Sequence, residues 1–136
     1  MKGTPGVTSE RKRESQVEPR RRRSAVILVV EHEVMVRYAV SLHLRDSGFV
    51  VVEAGTTDEA VRLIGAGERV DLVFSDINMP GAMDGNGLAR WILQAHPSIK
   101  VITTSGGRRA SNGSSIFVAK PYDHAELVRL IERLLE

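Results

Sequence analysis

The sequence predicts an α/β domain of the doubly wound kind: a parallel sheet with helices on both faces. Three observations predict it. Short aliphatic runs of strand length and strand composition recur at AVILVV (25–30), FVVVE (49–53), LVFS (72–75), KVITT (100–104) and IFVA (116–119). Stretches of helical period separate most of them, and strands that alternate with helices pair in parallel through right-handed crossovers. The first run is apolar without alternation, as expected of a strand covered on both faces.

The elements follow in order. After the first strand, Val36, Ala39, Val40, His43 and Leu44 share one helical stripe, and Ser47-Gly48 is a glycine-type helix end. After the second strand, Thr56 and Glu59 form a capping-box pattern, T-x-x-E, ahead of an apolar face of Ala60, Leu63 and Ile64; Gly65 and Gly67 end that helix. The turn-rich stretch DINMPGAMDG (76–85) leads from the third strand into a helix over about Asn86 to Ala95, stopped by Pro97. Asp123 and Glu126 repeat the capping pattern before a last helix whose stripe is Leu127, Leu130, Ile131 and Leu134. Between the fourth and fifth strands GGRRASNGSS (106–115) breaks the rhythm. It is short, polar and rich in Gly and Ser, and reads as a loop or a single helical turn.

The length of 136 residues suits one domain with a core of its own, and 42% hydrophobic residues make its bulk globular. With no cysteine, disulfides, thiolate zinc sites and thiol catalysis are excluded; the expected location is the cytoplasm. No apolar run approaches the roughly 20 residues of a membrane span, and the N-terminus lacks a signal-type apolar core. Charge is uneven. Residues 1–24 carry eight Lys/Arg against three Glu, a net of +5, while residues 25–136 carry eleven against fourteen Asp/Glu, a net of −3. The first 24 residues, with the run Arg20 to Arg23, are expected to be a disordered basic arm, and 25–136 the folded domain. Such an arm is either merely solvated (or set by a misassigned start codon), or a patch for nucleic acid or anionic lipid. It has no interleaved aromatics for base stacking, and no residue is assigned to nucleic acid.

In an open parallel sheet, ligands bind outside the carboxyl ends of the strands. Just past those ends stand Glu31, His32 and Glu33, then Asp76, then Ser105, then Lys120 before Pro121. Carboxylates, a hydroxyl and an ammonium on one rim suit phosphoryl chemistry, with a carboxylate as nucleophile, cations to neutralise the transferred group and a hydroxyl to donate to its oxygens. Singly, each residue has an ordinary office: Asp76 as a turn starter, Ser105 as a strand-end partner for backbone, Lys120 as a surface lysine. Their company on one rim favours the chemical reading.

In VILVVEHE (26–33), LVFSDINMPGAMDG (72–85), VITTSGG (101–107) and FVAKPY (117–122) the chain resembles the receiver domain of bacterial two-component response regulators, over about residues 25–136. The resemblance implies a flavodoxin-like (βα)5 sheet of strand order 2-1-3-4-5; against it, the polar stretch 106–115 is expected to leave the fourth helix shortened or replaced by a loop. It implies Asp76 as phosphoacceptor, Lys120 as the lysine on the phosphoryl group, and Ser105 as the hydroxyl that moves toward that group on activation. Phe117 takes the aromatic switch position. Glu31, Asp76 and the backbone carbonyl of Asn78 become ligands of Mg2+. The donor is a phosphohistidine on a sensor histidine kinase or a histidine phosphotransfer protein. Self-phosphorylation from small phosphodonors and autodephosphorylation are the only catalysis implied, so no enzyme in the ordinary sense is expected.

His32 departs from that pattern, standing where the family keeps a second acidic residue that binds Mg2+ directly. Mg2+ prefers hard oxygen donors, whereas imidazole suits softer ions. The expectation is a weakened Mg2+ site, with Glu31 or Glu33 supplying the missing carboxylate, Mn2+ or another divalent ion taking its place, or phosphorylation slowed or lost. The loop after Asp76 holds one residue more than the shortest family form, near Gly81-Ala82. The shortened fourth helix would remodel the face through which receivers often signal and pair, so a homodimer and a downstream protein partner are expected only in outline. With no effector domain after Glu136, a stand-alone receiver that signals by protein contact or relays phosphate is the leading expectation. The alternatives are a pseudo-receiver that binds without being phosphorylated, a nucleic-acid protein working through the arginine arm, and a nucleotide or flavin binder. The last lacks a phosphate-cradling loop after the first strand.

Overall fold

The structure is a computed structural model that describes residues 24–107 and 116–136. The expected arm, apart from Ser24, and nearly all of the polar stretch between the fourth and fifth strands lie outside the described residues. The strands are β1 (Val26–Val30), β2 (Val50–Ala54), β3 (Leu72–Asp76), β4 (Lys100–Ser105) and β5 (Ile116–Ala119). The helices among the described residues are α1 (Val34–Asp46), α2 (Thr57–Gly65), α3 (Gly85–Ala95) and α4 (His124–Leu134). All pairings are parallel and the strand order is β2-β1-β3-β4-β5. This is the doubly wound sheet and the strand order expected.

The period of two along β1 divides the core. Ile27 and Val29 face a layer completed by Val40 and Leu44 of α1 and by Leu127 and Ile131 of α4. Leu28 and Val30 face the opposite layer, with Ala60 and Ile64 of α2 and Leu88 and Ile92 of α3. Every β1 residue is buried, so the strand has no polar face to alternate with. Each of its side chains adds about 1.5–3 kcal/mol on burial.

Helix ends carry the local signals. Past α1 the Gly48 N–H donates to the Arg45 carbonyl and the Phe49 N–H to the Leu44 carbonyl, with Gly48 at φ 100°. That is a Schellman end, which the Ser47-Gly48 pair announced. At α2 the Thr56 hydroxyl accepts from the Glu59 N–H at 3.1 Å, and Glu59 reaches back to the Gly55 N–H at 3.0 Å. The reciprocal bond thus lands one residue outside the cap. At α4 Asp123 accepts from the Ala125 N–H at 3.0 Å.

Some boundaries differ from the sequence reading. β2 runs one residue later than 49–53, because Phe49 closes the helix end instead. Asp76 and Ser105 are the last residues of β3 and β4 rather than the first beyond them; they pair with Thr104 and Ala119. On α1, Ala39 is exposed while Ser41 is buried beside Val40 and Leu44.

Candidate functional site

The strand order reverses between β1 and β3. The connection from β1 leads to one edge of the sheet, and the chain then crosses to β3 and proceeds to the other edge. At such a point the loops part and leave a crevice at the carboxyl ends. Glu31, following β1, and Asp76, ending β3, stand on its two sides. Both are carboxylates with almost no exposure, side chains 5% and 8% accessible.

Lys120 joins them. Its Nζ lies 2.9 Å from Asp76 Oδ2 and 3.4 Å from Glu31 Oε1. The ammonium arrives from the far edge of the β3–β4–β5 half of the sheet, directly after β5, where the Lys120 backbone N–H donates to the Ser105 carbonyl. The other oxygens of the two acids are held by backbone. Asp76 Oδ1 accepts from the Asn78 N–H at 3.0 Å, and Glu31 Oε2 from the Glu33 N–H at 3.0 Å. Two carboxylates thus share a single ammonium and keep an excess of one negative charge. Burial works against the charged form of Lys120, but the hydrogen bond to Asp76 and the charges of Glu31 and Asp76 outweigh it and raise its pKa above the ordinary 10.5.

Ser105 completes the rim. Its Oγ accepts from the Gly107 N–H at 3.1 Å and lies 3.4 Å from Asn78 Nδ2, so the loop after β3 and the end of β4 meet at that hydroxyl. Phe117 lies on β5 beside Thr103, half-buried. The structure therefore brings Asp76, Lys120, Glu31, Asn78 and Ser105 together. His32 and Glu33 are both exposed, and Glu33 serves as the N-cap residue of α1.

Among the described residues no three His, Cys, Asp or Glu side chains gather into a metal-binding group. The donor set explains why. Glu31 and Asp76 offer hard oxygens, but Lys120 already lies against both, and the imidazole of His32 beside Glu31 is exposed. These residues do not make a complete cage of the hard-oxygen kind that Mg2+ prefers. What they can do unaided is clear from their charges: Asp76 offers a carboxylate oxygen to an electrophile, and Lys120 can neutralise negative charge beside it.

Further residues to which the sequence analysis assigned no role support this rim. Arg37 donates from Nη1 to the Glu31 carbonyl oxygen at 2.8 Å and from Nε to Glu53 at 3.1 Å. Gly85 packs on the backbone of Asp76 and Ile77. Thr57 Oγ1 donates to the Met83 carbonyl at 2.8 Å and ties α2 to the loop after β3. Tyr122 rests edge-on against Phe74, ring centroids 5.3 Å apart, and burial pushes its pKa up to about 12. The M-D-G and K-P-Y motifs pointed at Gly85 and Tyr122, but nothing local in the sequence marks Arg37 or Thr57.

Comparison with known proteins agrees with this geometry. The response regulator receiver domain family matches residues 27–132. The chain is 34% identical over 121 residues to the sensor kinase CckA of Brucella abortus, covering 83% of this chain and 13% of that protein. It is 32% identical over 118 residues to the nitrogen assimilation regulatory protein NtrX of Azorhizobium caulinodans, covering 81% of this chain and 26% of that protein. Thus it spans only a small part of these relatives. Among solved structures, the receiver domain of the hybrid histidine kinase CckA superposes with a TM-score of 0.71 at 30% identity, over 82% of this chain and all of that domain. A CheY-like receiver domain protein from Methanospirillum hungatei does so at 0.74 and 25% identity, over 82% and 94%. Receiver domains are signalling modules that interact with sensor histidine kinases and generally bind Mg2+. From its fold, its rim and these matches, the chain belongs to the response regulator receiver domain family.

Proposed function

We propose that this domain accepts a phosphoryl group on Asp76 from a phosphohistidine of a sensor kinase or histidine phosphotransfer protein, and passes the signal on by protein contact. The observation that carries this reading is the Lys120 ammonium 2.9 Å from a buried Asp76 carboxylate at the sheet's carboxyl edge. An Asp76 oxygen attacks phosphorus, an O–P bond forms, and the P–N bond to the donor imidazole breaks with its electron pair left on nitrogen. Lys120 offsets charge on the phosphoryl oxygens. Ser105 and Phe117 form the responsive part: the hydroxyl turns from its loop partners toward the new oxygens, and the half-buried ring follows. On this reading Mg2+ binding is weakened by His32 in place of an acidic ligand, and Mn2+ or another divalent ion can take its place.

The test is intact-protein mass after incubation with acetyl phosphate or phosphoramidate, with Mg2+, with Mn2+ and without metal. The expected result is a gain of one phosphoryl group that is absent in Asp76→Asn. Equal labelling of Asp76→Asn would overturn the assignment.

A second reading follows from His32 and the incomplete acidic group: a pseudo-receiver that binds partners without being phosphorylated. It requires no gain in the parent under any of those conditions. Labelling regained in His32→Asp would then trace the loss to that residue.

A further inference from the structure

We infer that Arg37 is a positioning residue for the acidic side of this site, holding Glu31 in place through the Glu31 peptide. This rests on the phosphoryl-accepting reading of the same rim. Glu31 is held at every polar group. Its N–H donates to the Ala54 carbonyl at 3.1 Å, its carbonyl accepts from Arg37 Nη1 at 2.8 Å, and its carboxylate meets the Glu33 N–H and Lys120. Arg37 is the only side chain in that set that anchors the backbone, so it decides where the carboxylate begins.

The guanidinium is itself anchored. Its Nε pairs with Glu53 Oε1 at 3.1 Å, and Glu53 Oε2 is taken by Arg45 Nη1 at 3.1 Å, two helical turns further along α1. Arg45 also donates to the Val51 carbonyl at 3.1 Å. The end of β2 and the length of α1 are thereby clipped together, with Arg37 at the end nearest the site. Space is reserved for it: a methyl group at Gly55 would stand 3.1 Å from Arg37 Nη1. The Arg37 side chain is only 20% exposed, unlike Arg45 at 46%.

A planar fork is what this duty demands. Nε and Nη1 point to different partners at fixed separation, which a lysine ammonium does not reproduce. The duty matters here because His32 occupies the second acidic position of the family. Among the described residues Glu31 is left as the only buried carboxylate facing Asp76 across the crevice. A shift of its carboxylate alters how Lys120 divides between the two acids, and a misplacement of about 1 Å can cost about a hundredfold in rate.

The experiment compares the full chain with Arg37→Gln, Arg37→Lys and Glu53→Gln by solvent-exchange NMR of backbone amides, alongside phosphodonor labelling. The reporter is the Glu33 N–H, whose partner is the Glu31 carboxylate. Exchange at Glu33 is expected to quicken about tenfold in Arg37→Gln and Arg37→Lys, and less in Glu53→Gln, while Leu28 and Val29 within β1 keep their protection. The labelling rate falls about tenfold at saturating donor, with the half-saturating donor concentration unchanged. Unchanged Glu33 exchange in Arg37→Gln overturns the inference. So does a rise shared equally with Leu28 and Val29, which would mean general destabilisation. Full restoration by Arg37→Lys overturns it as well, since charge alone would then suffice. If the parent takes no phosphoryl group, the phosphoacceptor reading fails by itself, and Glu33 exchange still decides the role of Arg37.

Discussion

At the scale of single residues the sharpest constraint is an absence. Gly85 opens α3, and a methyl group there would overlap the Asp76 carbonyl oxygen and stand 2.7 Å from Ile77 Cα. Both neighbours are backbone, so neither can swing aside. Gly85→Ala is expected to cost about 1–3 kcal/mol or more, by the overpacking rule. Part of that cost should fall on the strand end that carries Asp76. Urea denaturation monitors the stability and phosphodonor labelling the site; an alanine variant as stable as the parent would mean that the loop after β3 can yield. Site residues were legible where chemistry and position coincide. Asp76, Ser105 and Lys120 each follow or end an aliphatic run, and a rim is a property that strand ends share. Arg37 was not legible, because an arginine on a helix looks like any solvated charge until β2 brings Glu53 beside it. His32 was conspicuous in the sequence, yet the structure leaves it exposed while Glu31 is buried.

At the scale of elements, the stripe of α4 is buried or packed throughout, while that of α1 holds at Val36, Val40, His43 and Leu44 and fails at Ala39. Leu127 and Ile131 of α4 are buried, with Leu130 and Leu134 packed at the margin of the same core layer. On α1 the apolar residues encircle the helix. Val34, Met35, Tyr38 and Leu42 are exposed, and the buried face includes Ser41 in place of Ala39. Caps were easier, being local chemistry. Asp123 is the cap of α4 and sits next to the Lys120-Pro121-Tyr122 stretch that delivers the ammonium to the site. Asp123→Ala is expected to destabilise the fold by about 1 kcal/mol, and Asp123→Asn by much less, since an amide oxygen still accepts from the Ala125 N–H. Urea midpoints of the two variants check this; equal losses would mean that the carboxylate acts by charge rather than by capping. The expected loop or single helical turn between β4 and β5 falls almost wholly outside the described residues.

The whole molecule should show a stability maximum bounded by two partly buried groups whose ionisation the fold disfavours. On the acid side stands His124, whose ring centroid lies 5.2 Å from that of His43 across the α1–α4 contact. Burial lowers its pKa below the ordinary 6.5, as does the neighbouring His43, while Asp123 pulls the other way. The unfolded chain therefore binds this proton first. Stability is complete above about pH 6.5 and falls as pH drops from there through the lowered folded value. On the alkaline side stands Tyr122, whose pKa is raised from 10.0 to about 12 chiefly by burial, with Lys120 lowering it and Glu31 and Asp76 raising it. Here the folded state holds its proton longer than the unfolded chain does. Its contribution is complete below about pH 10 and is lost as pH rises toward the folded value, and the raised pKa of Lys120 adds a loss of the same sign. Urea midpoints at about pH 5, 8 and 11 test both limbs. Tyr122→Phe keeps the edge contact with Phe74 and should match the parent at pH 8 but lose less between pH 8 and 11. His124→Gln should likewise flatten the decline between pH 8 and 5. Parallel profiles for parent and variant on either limb would remove that residue from the account.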